Sequence, residues 1–259
     1  MELSIIIPAY NEAHRLPGNL PKLLTCLDHS GLPGGFEVIV VAEKSEDDTV
    51  ERCRAAVATR PEVQVIANPA KRGKGFAVRT GMLLATGDIA FFMDADLSTP
   101  LASIAQFLGH FAAHPDTGVL IGNRRHPRSI IGVPQGLMRR KLSDAFNVVV
   151  QALILPGCAD TQCGFKAFRR RASREIFSRQ HLDGFSFDLE ILLLAKRLGF
   201  KVEDLPVDWC DEPASTLRPL RDGLKMLRDI FVVRSLVRRT LNENPLAVER
   251  CAGPTRPDH

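Results

Sequence analysis

Two aspartates raise the first chemical question. Asp94 and Asp96 stand one residue apart in Phe91-Phe92-Met93-Asp94-Ala95-Asp96-Leu97, where a short apolar run, Ile89–Met93, ends. The run follows a Gly87-Asp88 turn signal and reads as a strand buried on both faces of a parallel sheet. In an extended chain residues i and i+2 project to one side. Asp94 and Asp96 would then offer two hard oxygen ligands to one point. Mg²⁺ or Mn²⁺ held this way keeps several waters and bridges to the phosphate oxygens of a substrate. The plain alternative is a pair of turn or capping aspartates, because Ser98-Thr99-Pro100 reads as a helix start. A lone Asp-x-Asp does not decide between the two.

The elements around this pair are legible as an alternation. Ser4–Ile7 reads as a first strand ended by Pro8, which cannot donate to a ladder. A helix follows over Leu16–Leu27, then a strand over Phe36–Val41. Ser45 reads as the N-cap of a second helix, with Asp48 completing an approximate capping box. A short strand at Val63–Ile66 leads to the basic glycine-rich loop Lys71-Arg72-Gly73-Lys74-Gly75 and a helix over Phe76–Leu84. Beyond Asp96 come a helix over Ser103–Phe111 and a strand over Val119–Ile121. This spacing predicts an α/β domain built on a mostly parallel sheet flanked by helices. Ligands then lie at the C-terminal edge of the strands, where Pro8–Glu12, Ala42–Asp47, Asp94 and Asp96 fall.

After Gly122 the pattern changes. Arg124 to Pro134 is basic and loop-like, Leu137–Leu155 is helical, and Asp160–Lys166 reads as a compact polar loop. A helix over Asp188–Leu198, closed by Gly199, and a strand over Val202–Val207 follow. Leu217 to Leu241 reads as a long helix with Leu220, Leu224, Leu227 and Phe231 in one stripe and Arg221, Lys225 and Arg228 in another. Arg234 and Arg238 fall back onto the apolar stripe, so the helix bends, ends or meets something polar there. Residues 241–259 read as a disordered tail.

Composition narrows the class. The chain has 259 residues, 45% hydrophobic and 25% charged, with a net charge of +4. That suits a globular chain with one large domain. Arg and Lys cluster at 124–141, 166–174 and 218–239, a distribution fitted to phosphates or an anionic surface. One Trp and one Tyr argue against a base-stacking nucleic-acid platform. Six cysteines form no C-x-x-C pair and no secretory signal precedes them, which reads as reduced thiols in a cytoplasmic protein. No apolar segment reaches the roughly 18–20 residues of a membrane span.

The stretches Ser4-Ile-Ile-Ile-Pro-Ala-Tyr-Asn-Glu12, Gly73-Lys-Gly-Phe-Ala-Val-Arg79, Asp94-Ala-Asp96, Asp160-Thr-Gln-Cys-Gly-Phe-Lys166, Phe187-Asp-Leu-Glu190 and Pro206-Val-Asp-Trp209 occur in one order. In that order they resemble the family 2 (GT-A fold) glycosyltransferases. Within these they are similar to the dolichyl-phosphate β-glucosyltransferase and polyprenyl-phosphate glycosyltransferase group. The resemblance implies a single GT-A domain over 1–240, with a nucleotide-sugar half at 1–122, an acceptor half at 123–216 and an amphipathic helix at 217–240. It implies an inverting transfer of a hexose from a nucleotide sugar to a polyprenyl phosphate, with Asp94 and Asp96 holding Mg²⁺ or Mn²⁺. A soluble acceptor is one alternative, because the group's membrane anchors are missing, and a non-catalytic nucleotide- or membrane-binding relative is the other, because Ala42 stands where the family carries an aspartate.

The resemblance also assigns roles. Pro8, Tyr10, Glu12 and Ala95 shape the donor pocket beside Asp94 and Asp96, and Lys74 approaches the donor's phosphates. Where the family carries two aspartates after the second strand, this chain has Ala42 and Glu43, so Glu43 is the candidate at the base and base specificity is open. Asp160, Gln162 and Lys166 lie near the reacting centre, and Asp188 is the acceptor-side carboxylate. Asp188 and Glu190 do not share a helix face, so one of them faces the site. Arg124, Arg139, Arg140 and Arg218 either hold phosphate in bidentate fashion or form a solvated basic face. The C-terminal helix either lies on the cytoplasmic face of a membrane as a peripheral contact or packs on the sheet with its arginines in water.

Overall fold

Leu3, Ile5 and Ile7 are buried on one face of the first strand and Ile6 on the other. That period-two burial on both faces is what a central strand of a doubly covered sheet requires. The computed structural model describes residues 2–132, 137–209 and 219–243. The elements in chain order are β1 (Leu3–Ala9), α1 (Leu16–Asp28), β2 (Phe36–Ala42), α2 (Thr49–Ala56), β3 (Val63–Ala67), α3 (Lys74–Leu84), β4 (Ile89–Met93) and α4 (Ala102–Ala113). They continue with β5 (Thr117–Asn123), α5 (Leu137–Leu153), β6 (Phe165–Arg169), α6 (Arg170–Phe177), α7 (Phe187–Arg197), β7 (Lys201–Pro206) and α8 (Pro219–Glu243).

The strands form one sheet in the order β3-β2-β1-β4-β6-β5-β7. Every ladder is parallel except the two made by β6, which runs antiparallel between β4 and β5. The expected mostly parallel α/β sheet is therefore present, with one reversed strand at its centre. That reversal positions the site. Met93 pairs with Phe165, so the segment entering β6 arrives at the edge where β4 ends. The exits of β1, β2, β4, β5 and β7 and the entry to β6 all meet at this edge.

Two apolar layers hold the sheet. On one face Phe91, Phe107 and Phe165 stack with centroid separations of 4.9–5.8 Å. On the other, Phe92 contacts Phe168 at 6.1 Å and Phe187 at 5.7 Å. These rings are fully buried, and burying one contributes about 1.5–3 kcal/mol. Phe165 and Phe187 thus anchor the segments that carry Asp160 and Asp188 to both sides of β4.

Several expectations need correction. Pro8 does not end the strand, because it lies within β1 opposite Val41. Pairing of β1 to β4 stops at Ile6 opposite Phe92, so at Pro8 only one neighbour strand remains to be satisfied. Ser45 is not the cap of α2. That helix begins at Thr49, whose N–H is received by Asp47 Oδ1 at 3.1 Å, while Ser45 Oγ receives the N–H of Asn11 at 3.1 Å. Lys166 is not on a polar loop but is the second residue of β6 and fully buried. Phe231 does not join the buried stripe of α8 but is 67% exposed. The buried face is Ile230, Val233 and Val237, an i, i+3, i+7 set that rotates the stripe by one residue. Arg234 and Arg238 therefore fall on the outer face, and α8 continues unbroken. The side chains of Leu220, Leu224 and Leu227, and the tail from 244, lie outside the described residues.

Candidate active site

The chain turns as soon as β4 ends. The Leu97 N–H returns to the Asp94 carbonyl at 3.3 Å, and Leu97 adopts φ +54°. Asp94 and Asp96 are thus corners of a turn, not alternate residues of an extended strand. Asp96 Oδ1 receives the Ser98 N–H at 2.9 Å, so the turn alternative holds for one oxygen, while the helix expected at Ser98 begins only at Ala102 and Asp96 caps none. Ala95 is buried between them, and its carbonyl receives Asn19 Nδ2 at 3.0 Å. Both carboxylates still act on one neighbourhood. Burial pushes the Glu12 carboxyl up despite its Arg15 partner, and the charges of Asp96 and Asp94 add to that rise.

Glu12 spends its carboxylate on Arg15, with contacts of 2.9 and 2.7 Å. Its carbonyl receives the N–H groups of Arg15 and Leu16, so Glu12 fixes the entry to α1. Tyr10 donates its hydroxyl to Glu46 at 3.2 Å, and Lys71 Nζ stands 3.7 Å over its ring. Glu43 is buried at the end of β2. It receives Asn68 Nδ2 at 2.8 Å, the Gly73 N–H at 2.7 Å and the Arg72 N–H. Its carboxylate therefore clamps the backbone of the basic loop.

That loop cannot recede. A side chain on Gly75 would meet Leu182 O at 2.5 Å, and one on Gly73, which has φ +129°, would meet Asp183 O at 2.5 Å. Arg72 also pairs with Asp183 at 2.7 Å. The result is a fixed origin for Lys74, the first residue of α3. Its ammonium lies 2.5 Å from Asp94 Oδ1. Burial works against that charge, but Asp94 and then Asp188 outweigh it and hold Lys74 above its ordinary range.

On the other side of Asp94 lies the entry to β6. Gly164 packs against the Asp94 carboxylate so closely that a Cβ would stand 1.9 Å from Oδ2. The sequence showed this glycine within its motif but not that a carboxylate fills the place of its side chain. Asp160 is buried and takes both Arg124 Nε at 2.7 Å and Nη2 at 2.9 Å. Burial opposes the Asp160 charge, yet Arg124 holds the carboxyl below its ordinary range, and the guanidinium is raised in turn. Arg124 also lies 5.3 Å from the Trp209 ring. Gln162 is half-buried on the same turn. Burial pushes the Cys163 thiol up to about 11, so this cysteine packs and is no nucleophile.

Lys166 projects from β6 toward α7. Its ammonium donates to Asp188 Oδ1 at 2.5 Å and to the Cys163 carbonyl at 2.7 Å. Burial pushes the Asp188 carboxyl up, against the pull of Lys166 and Lys74. Glu190 faces away and receives the N–H groups of His181 and Leu182, each at 2.8 Å. Of the two acidic residues on α7, Asp188 faces the cluster and Glu190 pins the segment before the helix. Asp94, Lys74, Asp188 and Lys166 thus form a run of alternating charge across the sheet edge. Arg139 and Arg140 belong to α5, but their side chains, like Arg218, lie outside the described residues.

The donor set suits a hard cation that arrives with other ligands. Two carboxylates flank the turn: among the described residues, Asp94 Oδ1 meets Lys74 and Asp96 Oδ1 receives the Ser98 N–H. Among those residues no group of three or more His, Cys, Asp or Glu could hold a metal alone.

The sequence pattern described as "Glycosyl transferase family 2" matches residues 4–177. The chain is 36% identical over 242 residues to the dolichyl-phosphate beta-glucosyltransferase of Drosophila melanogaster, covering 90% of this chain and 74% of that one. It is 32% identical over 240 residues to the enzyme of the same name from Dictyostelium discoideum, covering 90% and 73%. Among solved structures it is similar to glucosyl-3-phosphoglycerate synthase from Mycobacterium tuberculosis in complex with Mn²⁺, UDP and phosphoglyceric acid. That likeness has a TM-score of 0.65 and 19% identity, and covers 98% of this chain and 80% of that one. A match that begins in β1, runs through both aspartates and ends with α6 makes this chain a member of glycosyltransferase family 2, with the GT-A fold.

Proposed function

We propose that this glycosyltransferase moves a hexose from a nucleotide sugar of the UDP-glucose or GDP-mannose type to a polyprenyl or dolichyl phosphate, with inversion and with Mg²⁺ or Mn²⁺. The observation that carries the reading is the run Asp94–Lys74–Asp188–Lys166, which links a donor-type carboxylate turn to a buried ammonium–carboxylate pair. The names of the relatives support the lipid phosphate as acceptor.

In this reading Asp94 and Asp96 would hold the metal, which supplies charge neutralisation to the leaving diphosphate. Pro8 and Tyr10 border the nucleotide, with Glu12 and Ala95 behind them. Glu43 acts there through the loop that it clamps, and Lys74 offers its ammonium to the diphosphate. Arg124, fixed by Asp160, presents a planar cation beside the reacting edge, with Gln162 on the same turn. Lys166 sets the orientation of Asp188. A phosphate monoester has a second pKa near 6 and is already a nucleophile at neutral pH, so Asp188 orients the acceptor and need not take a proton.

Among the described residues no helix is long and apolar enough to cross a membrane. A lipid acceptor would be met peripherally. The outer face of α8 supports this, because Phe231 and Val232 are exposed beside Arg228, Arg234, Arg238 and Arg239, an apolar and basic combination suited to anionic lipid.

The experiment is a transfer assay with UDP-glucose and GDP-mannose against polyprenyl phosphate in detergent and against soluble phosphorylated acids. Labelled lipid formed only with metal present is the expected result. Transfer to a soluble acid and none to lipid would overturn the acceptor assignment. The role of Asp188 has its own test in the pH dependence of kcat/KM. For Asp188→Asn we expect a rate lowered by about 10²-fold, the low end for a positioned acid–base group. The acidic limb of the profile should persist, because it belongs to the phosphate. Loss of that limb would make Asp188 the base.

A further inference from the structure

Lys74 is a site residue whose present partner is a candidate metal ligand. Its Nζ stands 2.5 Å from Asp94 Oδ1, the distance of a charge-assisted hydrogen bond. Its backbone is fixed from two sides. Glu43 receives the N–H groups of Arg72 and Gly73, and the Phe76 N–H is received by Asp183 O at 3.2 Å. The four-carbon stem is the movable part. The ammonium therefore has a short arc of positions, and in the structure it takes the one on Asp94.

We infer that Lys74 is a resident counter-cation of the donor site: it neutralises Asp94 while the site is empty and yields to a divalent metal only when a nucleoside diphosphate enters with it. This rests on the assignment of Asp94 and Asp96 as metal ligands. A divalent ion placed on Asp94 alone would face an ammonium on the same carboxylate, and like charges at that range repel. A diphosphate changes the balance, because it gives the ammonium an anionic partner to move to and gives the metal further oxygens. The device makes metal and nucleotide binding mutually dependent, and by linkage each raises the other's affinity by the same factor. It also cancels one of the two carboxylate charges of the turn in the empty enzyme, which weakens the repulsion between Asp94 and Asp96.

The test is Mn²⁺ titration of the full chain by electron paramagnetic resonance, without nucleotide and with saturating UDP or GDP. Wild type should bind Mn²⁺ weakly alone and at least about tenfold more tightly with nucleotide, a coupling of about 1.4 kcal/mol. Lys74→Met should bind Mn²⁺ at least about tenfold more tightly than wild type when nucleotide is absent. Lys74→Arg, which keeps the charge, should stay weak. Thermal unfolding of both variants checks that they fold. If Lys74→Met gains no nucleotide-free affinity while wild type binds Mn²⁺ with nucleotide, the counter-cation role is wrong and the metal assignment stands. If no protein binds Mn²⁺ under either condition, the metal assignment fails and takes this inference with it.

Discussion

Asp96→Ala should lower kcat/KM for sugar transfer by about 10³-fold, roughly 4 kcal/mol of transition-state stabilisation. The argument starts from the turn. Asp94 is already neutralised by Lys74 at 2.5 Å and wedged against Gly164. Asp96 receives the Ser98 N–H on Oδ1, and a neutral donor does not cancel the charge of the carboxylate. If a metal neutralises the leaving diphosphate, Asp96 is the ligand whose loss the protein can least replace. The same substitution also removes the acceptor for Ser98 N–H, which costs about 0.5–1.5 kcal/mol of stability. Asp96→Asn separates the two roles. The amide oxygen still receives Ser98 N–H, but the charge is gone, so Asn should be nearly as inactive as Ala while being more stable. Kinetics with saturating donor, run beside thermal unfolding, check both. An Asn variant with wild-type transfer would reduce Asp96 to a turn residue and remove the metal from the proposal.

The fold was largely legible because strand and helix alternate through the first 122 residues, and each strand there is a short apolar run. What was not legible is instructive. β6 hid because Lys166 interrupts Phe165-Lys166-Ala167-Phe168 with a charge. The period-two pattern puts Phe165 and Ala167 on one face and Lys166 with Phe168 on the other. A lysine is accepted there only because Asp188, from a helix 22 residues later, supplies its counter-charge, and no local window contains that pairing. The extended geometry expected of Asp94-Ala95-Asp96 failed for a related reason. Ser98 N–H competes for Asp96, and the chain turns as soon as its ladder ends. Glu43 was legible as a departure from the family pattern, but not its role. Its partners Asn68, Arg72 and Gly73 come from 25 to 30 residues away. The α8 stripe was wrong by one residue, because Ile230 and Phe231 are equally apolar and only the packing against α5 and α7 chooses between them.

Lys166→Met should be the most destabilising single change in the site. Lys166 is fully exposed to protein and not at all to water, and its partner Asp188 is 5% exposed. Removing one member of a buried ion pair strands the other, at a cost of about 3–5 kcal/mol. In a domain of this size that lowers Tm by roughly 6–20 °C. Asp188 has one escape, which is to take a proton. Its carboxyl is already raised by burial with Lys166 present, and loss of that ammonium raises it further. The sign follows from linkage. A carboxyl whose folded-state pKa lies above its unfolded value stabilises the fold while protonated, and that contribution is lost as pH rises through the folded value. The stability deficit of Lys166→Met relative to wild type should therefore grow as the pH rises through the raised value of the Asp188 carboxyl. Removing the stranded charge should recover stability, so Lys166→Met/Asp188→Leu is expected to be more stable than Lys166→Met alone and inactive in transfer. Urea unfolding across pH measures all three proteins. A single variant that loses under about 1 kcal/mol, or a double variant no better than the single, would mean that water reaches the pair. In that case Lys166 and Asp188 would not supply the dry, fixed acceptor-side charge on which the proposed orientation of the phosphate depends.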